Sequence, residues 1–523
     1  MLAPERSTFT LVSTTELKDA LTPFLLDEAV CDRARVARDP RFDGRFFIGV
    51  LSTGIYCRVI CPSPPAKRKN VRFFKTAAAA LEAGFRPCLR CRPEVAPGSP
   101  AWNGTSATVS RALRLIADGA LNESSVEAFA DRLGISARHV HRLFLRHLGA
   151  SPTAVAHTRR LHFAKQLLTE TTLPMGQVAA AAGFGSVRRF NDTFRKLYKR
   201  TPSAIRKLDG ERASREEGRY TFRLGYRPPY DWSSLLSFLA ARATPGVEEV
   251  RDDAYRRTFV KDGRPGSLEV RKSPGHDALE IRIEFSDPLG LLPIVSRVRT
   301  MFDLNADPWA IARELRKDPL LRGAVGKYPG LRVPGAWDGF ELCVRAILGQ
   351  QVSVAGATTL AGRLAQQFGA PLEVAAGGLS RLFPTALALS EAPIGGLPAS
   401  RAESIRCLAR AVASGALAID DGRNTLAALR SLPGIGEWTA QYVAMRALND
   451  PDAFPAQDLV LLRTAGEGHP LAPRDLLRRA ESWRPWRAYA AMYLWRASSS
   501  RNISSRDRTG SMPPSRQRAR IAP

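Results

Sequence analysis

The chain is short of cysteine, short of acid and without any long apolar run, and each shortage narrows what it can be. It has seven cysteines in 523 residues. Its first residues, MLAPERSTFT, lack the apolar core of an export signal. A chain kept in the cytoplasm keeps its thiols reduced, which favours metal binding over disulfides. No stretch of about 18 consecutive apolar residues occurs, so no membrane span is expected. Acidic residues number 50 against 77 lysines and arginines, a net charge of +27 and a pI near 10.5. Such a surplus points to a polyanionic partner, with double-stranded DNA or RNA leading. A generally basic proteome is the plainer explanation.

The length exceeds what one core can organise, and three or four domains are expected. Residues 1–26 read as a loose leader. Residues 27–97 hold four of the cysteines, as Cys57-x3-Cys61 and Cys88-x2-Cys91. PGSPAWNGTS (97–106) is a linker. The pattern over 107–207 is helical throughout, and LDGERASREEGR (208–219) is a charged linker. Alternation such as SLEVRKS and ALEIRIEF predicts strands within 219–302, beside a helix at 232–243. Helical periodicity returns over 303–497. The remainder, 498–523, is basic, low in apolar residues and expected to be disordered.

Two close cysteine pairs separated by a loop have zinc-ligand spacing, because short spacers let one turn supply two thiolates to a tetrahedron. Spacing alone fits a purely structural zinc knob. The surrounding TGIYCR and AGFRPCLRC resemble, over about 70 residues, the zinc-binding sensor domain of Ada-type adaptive-response proteins. The resemblance implies one Zn2+ on Cys57, Cys61, Cys88 and Cys91, with Cys57 taking a methyl group irreversibly from a DNA phosphotriester. Zinc-bound thiolate is a nucleophile at neutral pH. Methylation removes one negative charge from a centre that repels phosphate. Arg58, Lys67, Arg68, Lys69 and Arg72 are candidates to hold the DNA backbone. Cys31, Cys343 and Cys407 have no partner in spacing and read as ordinary thiols.

VEAFADRLGISARHVHRLFLRHLG reads as helix, turn at Gly134, then helix from an N-cap at Ser136. Val140, Leu143 and Phe144 form its core stripe, leaving Arg138, His139 and Arg142 outward. The pattern recurs at MGQVAAAAGFGSVRRFNDTFRKLYKRTPSAIR, where Val187, Phe190 and Phe194 pack and Arg188 and Arg189 face out. A generic helical bundle is the alternative. The doubled unit resembles the AraC-type DNA-binding domain, which implies promoter DNA and RNA polymerase as partners. Ada-type proteins usually continue into an alkylguanine methyltransferase with a PCHR motif. That motif is absent, so direct repair of alkylguanine is not expected here.

SLPGIGEWTAQYVAMRAL places two glycines, Gly434 and Gly436, in a turn between helices whose N–H groups can meet a phosphate. About 20 residues on, Asp458 stands alone in AFPAQDLVLL, either a helix cap or a catalytic acid. PGLRVPGAWDGFELCVRAILGQQVSVAGA and RPPYDWSSLLSFLAARATPGVEEV complete a resemblance, over about 280 residues, to the AlkA-type 3-methyladenine DNA glycosylases. The resemblance implies that Asp458 is catalytic, stabilising the positive charge that develops on the sugar. It implies that Phe238, Trp438, Tyr442 and Trp495 hold the flipped base by stacking and cation–π attraction. Each of these rings could equally be core. Gln350 and Gln351 occupy the loop that should fill the gap in the duplex, where leucine is commoner at the second position. Lyase-competent relatives carry a lysine after the hairpin. Glu437-Trp438 stands there instead, so a monofunctional glycosylase is expected. No cysteine cluster lies near the C-terminus, so no iron–sulfur cluster is expected.

The expected fold is multidomain α+β: a small four-cysteine zinc domain, an all-α AraC-type double helix-turn-helix, an α+β N-terminal glycosylase domain and an all-α helix-hairpin-helix glycosylase core. The expected function is excision of alkylated bases joined to methyl-phosphotriester sensing and transcriptional activation. Two other readings stand beside it. One is a regulator whose glycosylase-like half binds DNA without catalysis. The other is a zinc-stabilised glycosylase with no transcriptional role.

Overall fold

The structure is a computed structural model, and it describes residues 27–97, 107–117, 119–122, 124–208, 218–419, 425–466 and 469–509. The leader, most of both linkers and the end of the tail lie outside the described residues.

The first segment begins with α1 (Glu28–Val36), capped by the Asp27 carboxylate. Strands β1 (Phe47–Val50), β2 (Ile55–Cys57), β3 (Val71–Phe74) and β4 (Arg86–Pro87) form a sheet in the order β3-β1-β2-β4, with α2 (Ala77–Glu82) packed on it. β1 pairs antiparallel with both neighbours, whereas β2 and β4 run parallel. That pairing matters for the cysteines. Cys88 N–H donates to Tyr56 O at 3.0 Å, which brings the second pair beside the end of β2 where Cys57 sits.

The second segment is helical, as expected: α3 (Ala107–Ala117), α4 (Val126–Leu133), α5 (Ala137–Leu148), α6 (Pro152–Glu170), α7 (Met175–Ala181), α8 (Val187–Tyr198) and α9 (Pro202–Leu208). Ser125, Ser136, Ser151 and Ser186 cap α4, α5, α6 and α8 by accepting a backbone N–H. Each such cap is worth about 1 kcal/mol. Gly134 turns the chain at φ +68, a conformation that glycine adopts without strain. Val140, Phe144, Phe190 and Phe194 are buried as the periodicity required. Val187 is not. It lies 42% exposed at the first turn of α8, where the helix N-terminus stands away from the core.

α6 is the structural spine. Thr158, Lys165, Gln166, Thr169 and Glu170 are all buried along it, which no surface helix would tolerate. On one side His162 Nε2 meets Tyr56 Oη at 2.7 Å, Lys165 pairs with Glu94 at 2.7 Å, and Arg92 reaches Glu170 at 2.8 Å. On another side Phe163 packs on Phe222, and Gln166 donates to Arg223 O at 3.4 Å. Burial lowers the His162 pKa to about 4, so the ring is neutral at physiological pH.

Phe222 and Arg223 belong to β5 (Arg219–Gly225), the edge of a five-stranded antiparallel sheet in the order β5-β9-β8-β7-β6. The others are β6 (Glu248–Arg251), β7 (Ala254–Lys261), β8 (Arg264–Lys272) and β9 (Ala278–Phe285), the last two on the predicted alternating segments. α10 (Trp232–Ala240) and α11 (Leu291–Met301) flank the sheet. Gly225 passes so near the first segment that a Cβ there would lie 2.5 Å from Val95 O.

The helical half comprises α12 (Pro308–Leu315), α13 (Pro319–Lys327), α14 (Gly339–Leu348), α15 (Val354–Phe368), α16 (Ala386–Ser390), α17 (Ala399–Ala413), α18 (Thr425–Arg430), α19 (Glu437–Arg446), α20 (Leu459–Ala465), α21 (Pro473–Ala480) and α22 (Arg487–Thr509). Two features differ from the sequence expectation. A hairpin, β10 (Pro371–Ala376) and β11 (Leu379–Arg381), interrupts the helices and bridges to Gly246. The final helix also runs past 497 to Thr509, inside the stretch expected to be disordered. A helix already nucleated by its packed first half gains a hydrogen bond with each residue it adds, so low apolar content does not stop it.

Burial alone would raise the Glu94 carboxyl, but Lys165 and Arg92 outweigh it and hold the group below its ordinary value of 4.5. A depressed carboxyl gives stability that is present above that value and lost as the pH falls through the lower, folded one. Lys165→Met leaves Glu94 with Arg92 alone and is therefore expected to cost roughly 1–3 kcal/mol at neutral pH, less than the toll of a fully stranded buried charge. Urea melts should show the deficit narrowing as acid protonates Glu94. An equal deficit at all pH values would contradict the assignment.

Candidate base-excision pocket and thiolate centre

α18 and α19 are joined by a short turn, and its two glycines have different reasons to be there. Gly434 sits at φ +77, and a Cβ there would fall 2.2 Å from Ser404 Oγ. Gly436 is extended at φ −88 and ψ −178, conformations open to any residue. Nothing lies within 4 Å of its missing side chain. It starts α19 without any side-chain cap, which leaves the first amides of that helix able to meet an anion.

Asp458 caps α20, so the helix-cap reading holds as geometry. Its Oδ1 accepts Val460 N at 3.0 Å and Leu461 N at 3.1 Å. It also does more. Oδ1 accepts the Trp495 indole N–H at 3.0 Å, and Oδ2 accepts that of Trp438 at 3.0 Å. Four donors thus fix one carboxylate, which stays half-buried. Hydrogen bonds to an ionised acceptor are the stronger kind, so the acid is held firmly in one orientation.

The four aromatics converge on this carboxylate from three distant parts of the chain. Trp438 and Tyr442 stack at 5.3 Å, and Tyr442 meets Trp495 edge-on at 6.4 Å. Phe238, from α10, lies 6.5 Å from Trp495. All four are half-buried, and Phe238 and Trp495 pack against the edge of the helical core.

The two glutamines divide their work. Gln350 points inward, donating to Gly434 O at 2.7 Å and Thr439 Oγ1 at 3.3 Å, and its own carbonyl accepts Arg401 at 2.7 Å. It ties its loop to the hairpin. Gln351 is exposed at the tip in a left-handed conformation, φ +58. Of the pair, only Gln351 is placed to enter a duplex.

In the first segment the Sγ atoms of Cys57, Cys61, Cys88 and Cys91 all lie within 4.8 Å of one another. Tetrahedral zinc with bonds of about 2.3 Å sets sulfurs roughly 3.8 Å apart, so the set fits the ion. The thiols hydrogen-bond one another, which holds Cys57 above the ordinary thiol range, chiefly through Cys61, and Cys61 below it, chiefly through Cys57. Four sulfurs this close ionise together only around a cation. Cys57 is half-buried and the other three are buried. Arg58 braces the centre rather than reaching for DNA. It is buried, ion-paired with Asp43, and donates to Cys91 O at 3.2 Å. Arg68 is also engaged, with Glu28. Lys67, Lys69 and Arg72 remain exposed.

Comparison with known proteins follows the same division. The Metal binding domain of Ada matches residues 30–94, a Helix-turn-helix domain matches 129–208, and the AlkA N-terminal domain matches 221–338. The Probable bifunctional transcriptional activator/DNA repair enzyme AlkA of Mycobacterium tuberculosis (strain ATCC 25618 / H37Rv) is 44% identical over 475 residues, covering 89% of this chain and 95% of that protein. The chain belongs to this family. DNA-3-methyladenine glycosylase 2 of Escherichia coli (strain K12) is 36% identical over 291 residues, 52% of this chain and 96% of its own. The bifunctional transcriptional activator/DNA repair enzyme Ada of the same strain is 42% identical over 119 residues, 23% of this chain and 32% of its own.

Within this family member, the helix-turn-helix candidates sit on the first two turns of α5 and the first turn of α8. Arg138, Arg142, Arg188 and Arg189 are exposed. His139 is half-buried and its Nδ1 lies 3.0 Å from Arg142 Nη2, so these two side chains are held together. Sequence reasoning missed two arginines that pack on these rings. The Arg242 guanidinium lies 3.7 Å from the Phe238 ring centre, and Arg446 lies 5.0 Å from it and 5.4 Å from Tyr442. The signal was available. Each arginine follows its ring by four residues, one helical turn on.

Native mass spectrometry of the purified chain is expected to count one zinc ion. Cys88→Ser should release it to EDTA and lower the melting temperature of the first segment. Full retention of zinc by that variant would exclude the four-sulfur site.

Proposed function

We propose that this chain excises alkylated bases from double-stranded DNA by hydrolysis, while its first half senses methyl phosphotriesters and activates transcription with RNA polymerase. The working units are 27–97, 107–207, 219–302 and 303–497. The observation that carries the reading is the Asp458 carboxylate, fixed by two indoles inside a ring of half-buried aromatics.

The excision step follows from that arrangement. The hairpin amides take a phosphate, and Gln351 enters the space the damaged nucleotide leaves. The base stacks among Trp438, Tyr442 and Trp495. As the N-glycosidic bond breaks, its electrons leave with the base and positive charge grows on the sugar. Asp458 faces that charge and stabilises it until water adds. Glu437, at the position where a Schiff-base lysine would stand, pairs with Arg430. The reaction accordingly ends at an abasic site without strand cleavage.

Cys57, Cys61, Cys88 and Cys91 would hold a zinc ion, which would supply ionised sulfur at neutral pH. Cys57, the accessible member, forms the S–CH3 bond as the methyl–oxygen bond of the phosphotriester breaks and an ordinary phosphodiester anion leaves. The centre loses one negative charge. Near a phosphate at about 4 Å that change is worth roughly 1–4 kcal/mol. Lys67, Lys69 and Arg72 then hold the backbone with less opposition. Arg138, His139, Arg142, Arg188 and Arg189 read promoter DNA. A soluble cytoplasmic setting fits, and no helix among the described residues is long and apolar enough to cross a membrane.

Asp458→Asn is expected to lower release of 3-methyladenine from methylated DNA by about 100-fold or more, as loss of a charge-stabilising group does. Equal protein-dependent release by both would overturn the assignment of Asp458, and release no faster than from DNA alone by either would leave the reading of a catalytically silent, DNA-binding half. After incubation with methylated DNA, intact mass should rise by one methyl, mapped to Cys57. Promoter affinity should then increase between severalfold and about a thousandfold, and the gain should shrink with salt.

A further inference from the structure

We propose that Arg242 decides which damaged bases the pocket releases, donating hydrogen bonds to neutral ones and opposing cationic ones. The proposal rests on the excision reading above and names its substrate class.

Four arginines, Arg242, Arg257, Arg345 and Arg446, line one small cavity, the first and last of them packing on the Phe238 and Tyr442 rings, and they are not equivalent. Arg257 and Arg345 lie deepest and are paired with Glu341 and Glu248, each at 2.7 Å. Arg446 is buried, and its donors go to Pro334 O at 2.8 Å, Gly335 O at 3.1 Å and Tyr442 Oη at 2.7 Å. Arg242 differs. It is half-buried, it covers Phe238 at 3.7 Å, and it makes one weak bond to Phe238 O at 3.3 Å besides lying against the Tyr442 hydroxyl. A guanidinium carries five N–H donors. Among the described residues no carboxylate stands within ion-pair distance of Arg242 or Arg446. The wall behind the rings is therefore positively charged, and Arg242 is its half-buried part, held by one carbonyl and the Tyr442 hydroxyl and so left with further N–H donors.

This matters because two kinds of damaged base leave with different charges. When the N–C1′ bond breaks, its electron pair stays with the base. A cationic base such as 7-methylguanine leaves neutral and needs no help. A neutral base such as hypoxanthine leaves carrying negative charge on its ring nitrogens and oxygen, until it takes a proton from the water that adds to the sugar. A guanidinium donating to that developing anion favours its departure. The same charge repels a base that enters as a cation, and it already occupies the Phe238 ring that such a base would use.

Single-turnover release of hypoxanthine and of 7-methylguanine from defined duplexes, by the full chain, tests this. Arg242→Gln is expected to lower the ratio of hypoxanthine to 7-methylguanine release about tenfold or more, the worth of one charge-assisted hydrogen bond. A ratio within about twofold of the unmodified protein overturns the proposal, even where both rates fall together. Should Arg242→Gln not fold, Arg242→Lys decides. It keeps the charge and loses the planar fork, so the ratio should move the same way, and an unmoved ratio overturns the proposal. Failure of the underlying reading looks different. Neither base would be released, or release would be indifferent to Asp458→Asn, and the assignment of Arg242 would fall with it.

Discussion

Lys165 and Glu94 meet at 2.7 Å with almost none of either side chain in contact with water. Two charges can stay so deep only when each is the other's partner. Here Arg92, Thr169, Glu170 and Gln166 extend the pair into a network along α6. The network sets where the cysteine-bearing sheet lies against the helix. Packing of apolar residues alone would tolerate small slips between these surfaces. Paired buried charges do not, because each slip strands an ion.

The pocket poses the opposite problem. Its rings stay half-buried, so apolar packing alone does not fix them. Indole N–H bonds to Asp458 hold Trp438 and Trp495 in place from their edges. Guanidinium groups support Phe238 and Tyr442. Polar contacts thus orient the rings while leaving them half-buried. The carboxylate gains in turn, since donors that fix the rings also fix the acid.

Much of this was legible in the sequence because it is local. Cysteine spacing, serine caps, the turn at Gly134 and the alternation of β8 and β9 each depend on residues a few positions apart. The convergence on Asp458 was reached only through resemblance, since Phe238 and Trp495 lie far from it in the chain. What escaped was decided by tertiary burial. Arg58 follows the first cysteine of the cluster and looks like a phosphate ligand, yet Asp43 claims it. Val187 has the right period for a core position, yet the helix start lifts it clear. Gln350 and Gln351 are identical neighbours, and only the fold turns one inward and the other outward. The helix past residue 497 had too few apolar residues to announce itself, because it grows from a part that is packed.

α6 is flanked on both sides, and this bears on how the chain can be divided. A fragment ending near residue 208 would retain the thiolate centre and both helix-turn-helix units. It would also bare Phe163 to solvent and take Arg223 O away from Gln166. The linear order of parts along the chain suggests beads that can be separated at will. Here the repair half serves as the wall against which the sensing half is built, and neither inherits its shape unchanged when the other is removed.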